Sequence, residues 1–260
     1  MLPLETIKQQ YPPKLQVFTG FLLREYLQYK ILEIISRSEM AAKLTFIGGT
    51  ALRIIHGNTR FSEDLDFDNL DLTPTEFAAL ADTIKQALAS DGIVTEIRLT
   101  GKDAMRCDVR FPGLLFEEGL SPLPEQKILL QIDTLAQGVS YDAEIKLLSK
   151  FDVFANVRVA PLDILLAQKL HTCVNRPRPK GRDFFDIIFL LAQGVRPNYD
   201  YLKQKLDIHT ASQLREYILT QTAPYDFSLL VDDVQKFLFQ PNDGDRLMQF
   251  RDIIRTSELL

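Results

Sequence analysis

Asp64 and Asp66 stand one residue apart in the stretch RFSEDLDF, inside an otherwise apolar run. On a β-strand successive side chains alternate between faces, so both carboxylates point one way while Leu65 and Phe67 point the other. Burying two neighbouring carboxylates without a partner is costly, so positive charge should sit between them. A third candidate is Asp133 in KILLQIDT, where Ile128, Leu130 and Ile132 share one face and Asp133 lies on the other. Two carboxylates on one strand and one on a neighbour make an oxygen-rich pocket suited to Mg²⁺, or Mn²⁺, together with substrate phosphates. Two such ions can activate an attacking hydroxyl and stabilise the leaving group of a phosphoryl-type transfer.

Just upstream, Gly48-Gly49-Thr50 falls between an apolar strand and a short helix. There backbone N–H groups can approach a phosphate and the helix dipole favours negative charge, although a plain tight turn would use the same residues. Arg60 and Ser62 precede the acids. Arg60 reads as a nucleotide contact, and Ser62 as a phosphate contact or a turn cap. His56, before a glycine at a helix end, and Asp68, at the start of an acidic loop, read as structural.

These residues need elements to hold them. Apolar spacing from Lys14 to about Lys43 predicts one long helix or two with a break. Residues 44–47 predict a strand, 51–55 a short helix closed by Gly57, and 65–67 the next strand. Thr73, Pro74 and Glu76 form an N-terminal capping pattern for a helix that ends at Gly92. Strands are predicted at 93–99, 105–111, 127–134 and 156–159. From Pro161 the pattern turns helical, with helices at 161–175, 181–193, 199–206, 210–220, 228–239 and 244–256. The predicted organisation is an α/β part over residues 1–160 and an all-helical part over 161–260.

The block GGTALRIIHG…RFSEDLDF resembles the signature of the AbiEii/MenT-type toxins, a branch of the polymerase β-like nucleotidyltransferase superfamily. That family also carries a downstream helical lysine and an Arg-Asp-x-x-Asp block. Both occur here in AQKLHTCVNRPRPKGRDFFDI, as Lys169 followed by Arg182, Asp183 and Asp186. The resemblance spans roughly residues 44 to 192. It implies a mixed-sheet nucleotidyltransferase core with a helical C-terminal half. It also gives Lys169 a role against triphosphate or leaving-group charge, in which it would offset the paired acids, makes Asp186 a site residue alongside Asp64 and Asp66, and puts Asp183 second.

Lys169 falls within the apolar stripe Leu162, Leu165, Leu166 and Cys173, so it could also be a lysine at a core edge reaching to water. Arg182 lies four residues before Asp186, so a local ion pair is equally available. Between the two helices NRPRPKGR carries four cations, which suit either a solvated surface or a clamp on triphosphate or RNA.

With 260 residues, 46% hydrophobic and a net charge of −5, the chain is globular in composition and not coated for nonspecific nucleic-acid binding. Its two cysteines, Cys107 and Cys173, lack any metal or redox spacing, and no segment reads as a leader or a membrane span, so a cytoplasmic protein is expected. The expected function is Mg²⁺-dependent transfer of a nucleotide from an NTP to an acceptor hydroxyl. Asp64 and Asp66 would hold the ion with Asp133 assisting, while Gly48, Gly49, Thr50, Arg60, Ser62, Arg182 and Asp183 would face the nucleotide. By resemblance the acceptor is a tRNA 3′ end and the protein is a toxin paired with an antitoxin protein. Transfer to a protein or small-molecule hydroxyl, and a binding module without turnover, are the alternatives. A dinucleotide-binding fold is disfavoured, since GxGxxG is absent.

Overall fold

The computed structural model describes residues 1–101 and 104–259. It divides into two compact units: Met1–Ala51, Phe61–Gly138 and Ala143–Val159 form the first, and Leu52–Arg60, Val139–Asp142 and Ala160–Leu260 the second. The first is a mixed α/β core and the second is helical, an architecture consistent with a polymerase β-like fold.

In the first unit the order is α1 (Leu4–Gln9), α2 (Thr19–Arg37), β1 (Leu44–Ile47), α3 (Gly48–Ile54, whose last residues belong to the second unit) and β2 (Leu65–Asn69). There follow α4 (Pro74–Ser90), β3 (Glu96–Thr100), β4 (Met105–Phe111), α5 (Leu114–Glu117), β5 (Ile128–Leu135), β6 (Glu144–Lys150) and β7 (Val153–Val159). The strands form one seven-stranded sheet in the order β3-β4-β5-β2-β1-β7-β6. β2 runs parallel to β5 and β1 parallel to β7, while the other neighbours are antiparallel. β2, which carries Asp66, is therefore an interior strand with its ladder made on both sides.

α4 forms as its capping pattern requires: the Thr73 side chain accepts from the Glu76 backbone N–H, and Glu76 reaches back to the Thr73 N–H at 2.9 Å. The long N-terminal helix is shorter than its apolar spacing suggests, 19–37 rather than 14–43, and α1 precedes it. It is buried on several sides, so polar residues inside it need partners. Glu25 accepts from the Tyr11 hydroxyl at 2.8 Å and pairs with Lys150 at 3.0 Å.

β6 escaped the sequence reading for two physical reasons. It is an edge strand whose Ile145 and Leu147 face outward, so no inward apolar alternation marks it. Its link to β7 is the two-residue turn Phe151-Asp152, with Phe151 at φ 59° and neither Gly nor Asn to signal it. The strained φ is held by aromatic packing, with Phe151 edge-on to Tyr26 at 5.3 Å and to Tyr29 at 5.2 Å.

The second unit contains α6 (Leu162–Asn175), α7 (Gly181–Ala192), α8 (Tyr199–Leu206), α9 (Ala211–Thr222), α10 (Phe227–Gln235) and α11 (Phe250–Thr256). The predicted helix at 244–256 is a 3₁₀ stretch over Pro241–Gln249 before α11 begins. Phe184 lies at the centre of an aromatic core, edge-on to Phe250 at 4.8 Å and Phe227 at 5.3 Å. α7 and α10 touch through backbone at Gly181, where an added Cβ would run into the Leu230 carbonyl group. Cys107 and Cys173 are buried free thiols; burial, helped by Asp108, pushes Cys107 up to about 12, which leaves it unreactive. No helix among the described residues is long and apolar enough to cross a membrane.

Candidate active site

Register on the sheet decides which acids of the first unit can act together. Asp66 on β2 is the direct partner of Asp133 on β5, and Asp133 is in turn the partner of Arg106 on β4. Asp66, Arg106 and Asp133 line one cleft of about 440 Å³, together with Thr100, Met105 and Gln137. Asp64 immediately precedes β2, partly exposed like Asp66. Asp68, on the same strand, is buried and accepts from the Gln137 backbone N–H at 2.8 Å, a structural role.

Gly48 stands against this row. Its φ is 78°, and a Cβ built on it would lie inside the Asp66 side chain, 2.9 Å from that residue's Cβ and Cγ. Only glycine allows both that left-handed turn and that approach. The first glycine of the pair is thus needed for clearance over Asp66. Thr50 is fully buried, and its hydroxyl donates to the Asp64 carbonyl, tying the start of α3 to the entry of β2. That hydroxyl is committed, so only the Thr50 backbone is left for the nucleotide contact expected of it. Ser62 is held by its carbonyl: the buried Gln28 amide donates to Ser62 O at 3.1 Å and Glu63 O at 3.0 Å. Gln28 is a positioning residue that the sequence did not reveal, because helical spacing alone cannot say what an inward glutamine reaches.

Asp133 meets an arginine. Arg106 donates through Nε and Nη2 to both carboxylate oxygens, at 2.7 and 2.8 Å. These hydrogen bonds and the Asp133 charge, with smaller help from Asp108 and Asp64, hold the guanidinium above its ordinary pKa. Arg106 is the positive charge beside Asp133, and the sequence could not point to it without the β4–β5 register. The carboxylate oxygens of Asp64, Asp66 and Asp133 are the donor type Mg²⁺ takes, and two of them share one cleft. Among the described residues, however, no three metal-binding side chains are gathered into a cation cage, and Asp133 faces Arg106 instead. The donors fit in kind, and Asp133 must turn to serve.

The second unit holds a different ionic cluster. Asp186 on α7 is 0% exposed and accepts from Arg60 Nε at 2.7 Å, Arg60 Nη2 at 2.6 Å and Asn58 Nδ2 at 2.7 Å. Lys169 on α6 lies 2.9 Å from the same carboxylate and donates to Asp183 at 3.0 Å. Burial alone would raise the Asp186 pKa, but the charges of Arg60 and Lys169 outweigh it and lower it. Burial would likewise lower Lys169, and Asp186 and Asp183 outweigh it, leaving the lysine raised. Asp186 and Lys169 are therefore both charged at neutral pH.

The geometry bears on two of the candidate residues. Arg60 is 1% exposed, and its Nε and Nη2 are both engaged by Asp186. Asp186 has four donors and no exposed surface. Lys169 keeps 13% side-chain exposure. The basic loop is mostly committed as well: Arg176 pairs with Asp183 at 3.3 Å, Lys180 lies 3.8 Å from Asp233, and Arg182 stacks over Phe237 at 4.5 Å. Arg182 thus makes a cation–π contact with the Phe237 ring.

Comparison with known proteins places these features in a family. The profile described as "Nucleotidyl transferase AbiEii toxin, Type IV TA system" matches residues 30–252. Among solved structures, JHP933 from Helicobacter pylori is similar with a TM-score of 0.53 at 20% identity, over 91% of this chain and 90% of that one. A structure described as a "putative nucleotidyltransferase from H. pylori" gives 0.55 at 18% identity, over 91% and 93% of the two chains. At such identities the likeness concerns the fold. No curated protein sequence matches the chain.

Proposed function

The chain belongs to the AbiEii nucleotidyltransferase toxin family, and from that premise we propose that it transfers a nucleoside monophosphate from an NTP to an acceptor hydroxyl at the Asp66 cleft. The observation that carries the reading is the Asp66–Asp133 register pair at a cleft, with Gly48 cleared to glycine over Asp66. Asp64 and Asp66, and Asp133 once turned from Arg106, would hold Mg²⁺ or Mn²⁺. A bound divalent ion would supply charge that eases deprotonation of the attacking hydroxyl and stabilises the departing pyrophosphate. The backbone of Gly48, Gly49 and Thr50 approaches the phosphates, because no side chain intervenes at the glycines. The acceptor oxygen forms a bond to the α-phosphorus as the bond to pyrophosphate breaks, and the hydroxyl proton passes to a site carboxylate or to water. Such chemistry needs placed charge and no nucleophilic side chain.

For Lys169 the family pattern supports a role toward phosphate charge, and what supports it here is an ammonium kept protonated by Asp183 and Asp186 while still partly exposed. Asp183 and Asp186 act through that lysine as positioning residues. The acceptor we propose is a tRNA 3′ end, and the biological role that of a toxin restrained by a partner antitoxin; both rest on family membership.

The test incubates the protein with Mg²⁺, total tRNA and each α-³²P-labelled NTP in turn, beside an Asp66→Asn variant of unchanged melting temperature. Label on tRNA that falls at least about a hundredfold in the variant supports the proposal. Label on protein would reassign the acceptor, and NTP binding without label in any fraction would overturn turnover itself.

A further inference from the structure

The third carboxylate is engaged by Arg106, and that pairing has the properties of an exchangeable contact. The two side chains are 49% and 31% exposed, so water screens the pair and can solvate either partner when they separate. Its guanidinium presents a two-pronged face that fits a phosphate as well as a carboxylate. Arg106 also sits on the rung next to Asp133, which sits next to Asp66, all three lining one cleft. Among the described residues lining that cleft Arg106 is the cation.

We propose that Arg106 is a phosphate-binding residue of this cleft that exchanges partners: it holds Asp133 in the free protein and passes to a phosphate of the incoming triphosphate, releasing Asp133 to the divalent ion. The inference rests on the nucleotidyltransferase reading and deepens it. Charge balances through the exchange. A divalent ion arriving alone would have to displace or sit beside a guanidinium, whereas an ion arriving with a polyphosphate brings the anion that takes the guanidinium up. Ion and triphosphate thereby bind together more tightly than either alone, by a contact swap that requires no movement of the strands. A plain cross-strand ion pair, which these positions could also form, would stabilise the sheet slightly and do nothing to ligands.

The experiment measures ligand affinity, not turnover. Mn²⁺ binding is followed by electron paramagnetic resonance, and binding of inorganic tripolyphosphate, which has no base to recognise, by calorimetry, for the wild type and for Arg106→Gln, Arg106→Lys and Asp133→Asn. Arg106→Gln should bind Mn²⁺ alone about three- to fivefold more tightly, the most that loss of a surface pair can return. The same variant should bind tripolyphosphate with metal about tenfold more weakly, with Arg106→Lys in between because it keeps charge without the fork. Asp133→Asn should bind tripolyphosphate without metal more tightly than the wild type, and lose Mn²⁺ affinity. Unchanged affinities in Arg106→Gln, with a slightly lower melting temperature, would overturn the exchange and leave a sheet-stabilising pair. If the wild type binds neither tripolyphosphate nor any of the four NTPs with metal, the nucleotidyltransferase reading itself falls, a result distinct from failure of the exchange.

Discussion

Two aspartates of this protein, Asp133 and Asp186, are gripped by an arginine fork at nearly the same distances. Arg106 holds Asp133 at 2.7 and 2.8 Å, and Arg60 holds Asp186 at 2.7 and 2.6 Å. Their surroundings differ: the first pair is 49% and 31% exposed, the second 2% and 0%. Hydrogen-bond geometry therefore says little about what an ion pair does. In water-screened surroundings the attraction is small and the partners can be traded; in the interior neither charge can be left alone without a large desolvation cost. The α/β unit keeps Asp64, Asp66 and Asp133 partly exposed, where a ligand can reach them. The helical unit uses the same chemistry as a fixed joint, with Asn58 and Lys169 completing the donors to Asp186.

The sharpest way to break this comparison is to remove the buried arginine. Arg60→Met leaves the Asp186 charge with Asn58 and Lys169 alone, and should cost about 3–5 kcal/mol. Thermal unfolding of the variant should begin roughly 10 °C lower. A shift no larger than that of Arg106→Met would mean that burial does not separate the two pairs. Titration checks the same joint. Asp186 is depressed in the folded state, so its contribution is complete above the ordinary carboxylate value near pH ~4 and is lost as pH falls through the folded value. Lys169 is raised, so its contribution is complete below about pH 10 and is lost as pH climbs through its folded value. Chemical denaturation should therefore show the contribution of this cluster level from about pH 5 to 9. A step inside that window would mean that one member is neutral.

Next in size is Gly48→Ala. Alanine at φ 78° is strained by about 1–2 kcal/mol, and its Cβ must push the Asp66 side chain aside. The stability loss should be about 2 kcal/mol, with Mn²⁺ affinity falling as well because a carboxylate is displaced. Gly57→Ala, also at positive φ but with nothing within 4 Å, should show the strain and keep the metal affinity. Equal metal binding in the two variants would remove Gly48 from the site.

Much of this was legible in the sequence, and the limits are physical. β1, β2, β4 and β5 announce themselves because each has an inward apolar face, and α4 because its cap is local in sequence. Asp64, Asp66 and Asp133 could be picked out since acids on apolar strands need a reason. What could not be read was partnership across the sheet and between helices. Arg106 in MRCDVRF looks like any outward strand arginine until the register sets it opposite Asp133. Arg60 looked like a nucleotide contact because it precedes the acids in the chain, yet its partner is 126 residues away on α7. Asn58 and Gln28 gave no signal at all, as an amide announces neither burial nor target. Local chemistry survives in sequence; long-range pairing does not.

The smallest expected effect is also the most discriminating. A double-mutant cycle on stability with Arg106→Met and Asp133→Asn should return a coupling of about 0–1 kcal/mol, whereas the cycle on Arg60 and Asp186 should return several times more. The reason lies in the unpaired state that each cycle samples. When Arg106 is cut, Asp133 is left facing a cleft that water enters, and solvation replaces most of what the guanidinium gave. When Arg60 is cut, no water reaches Asp186, and the loss is felt in full. Repeating the Arg106–Asp133 cycle at higher salt should lower its coupling further, because exposed charges are screened, while the buried pair should barely respond. A salt-insensitive coupling above about 2 kcal/mol at Arg106–Asp133 would make that pair a fixed joint too, and would leave Asp133 unable to turn toward an ion in the cleft.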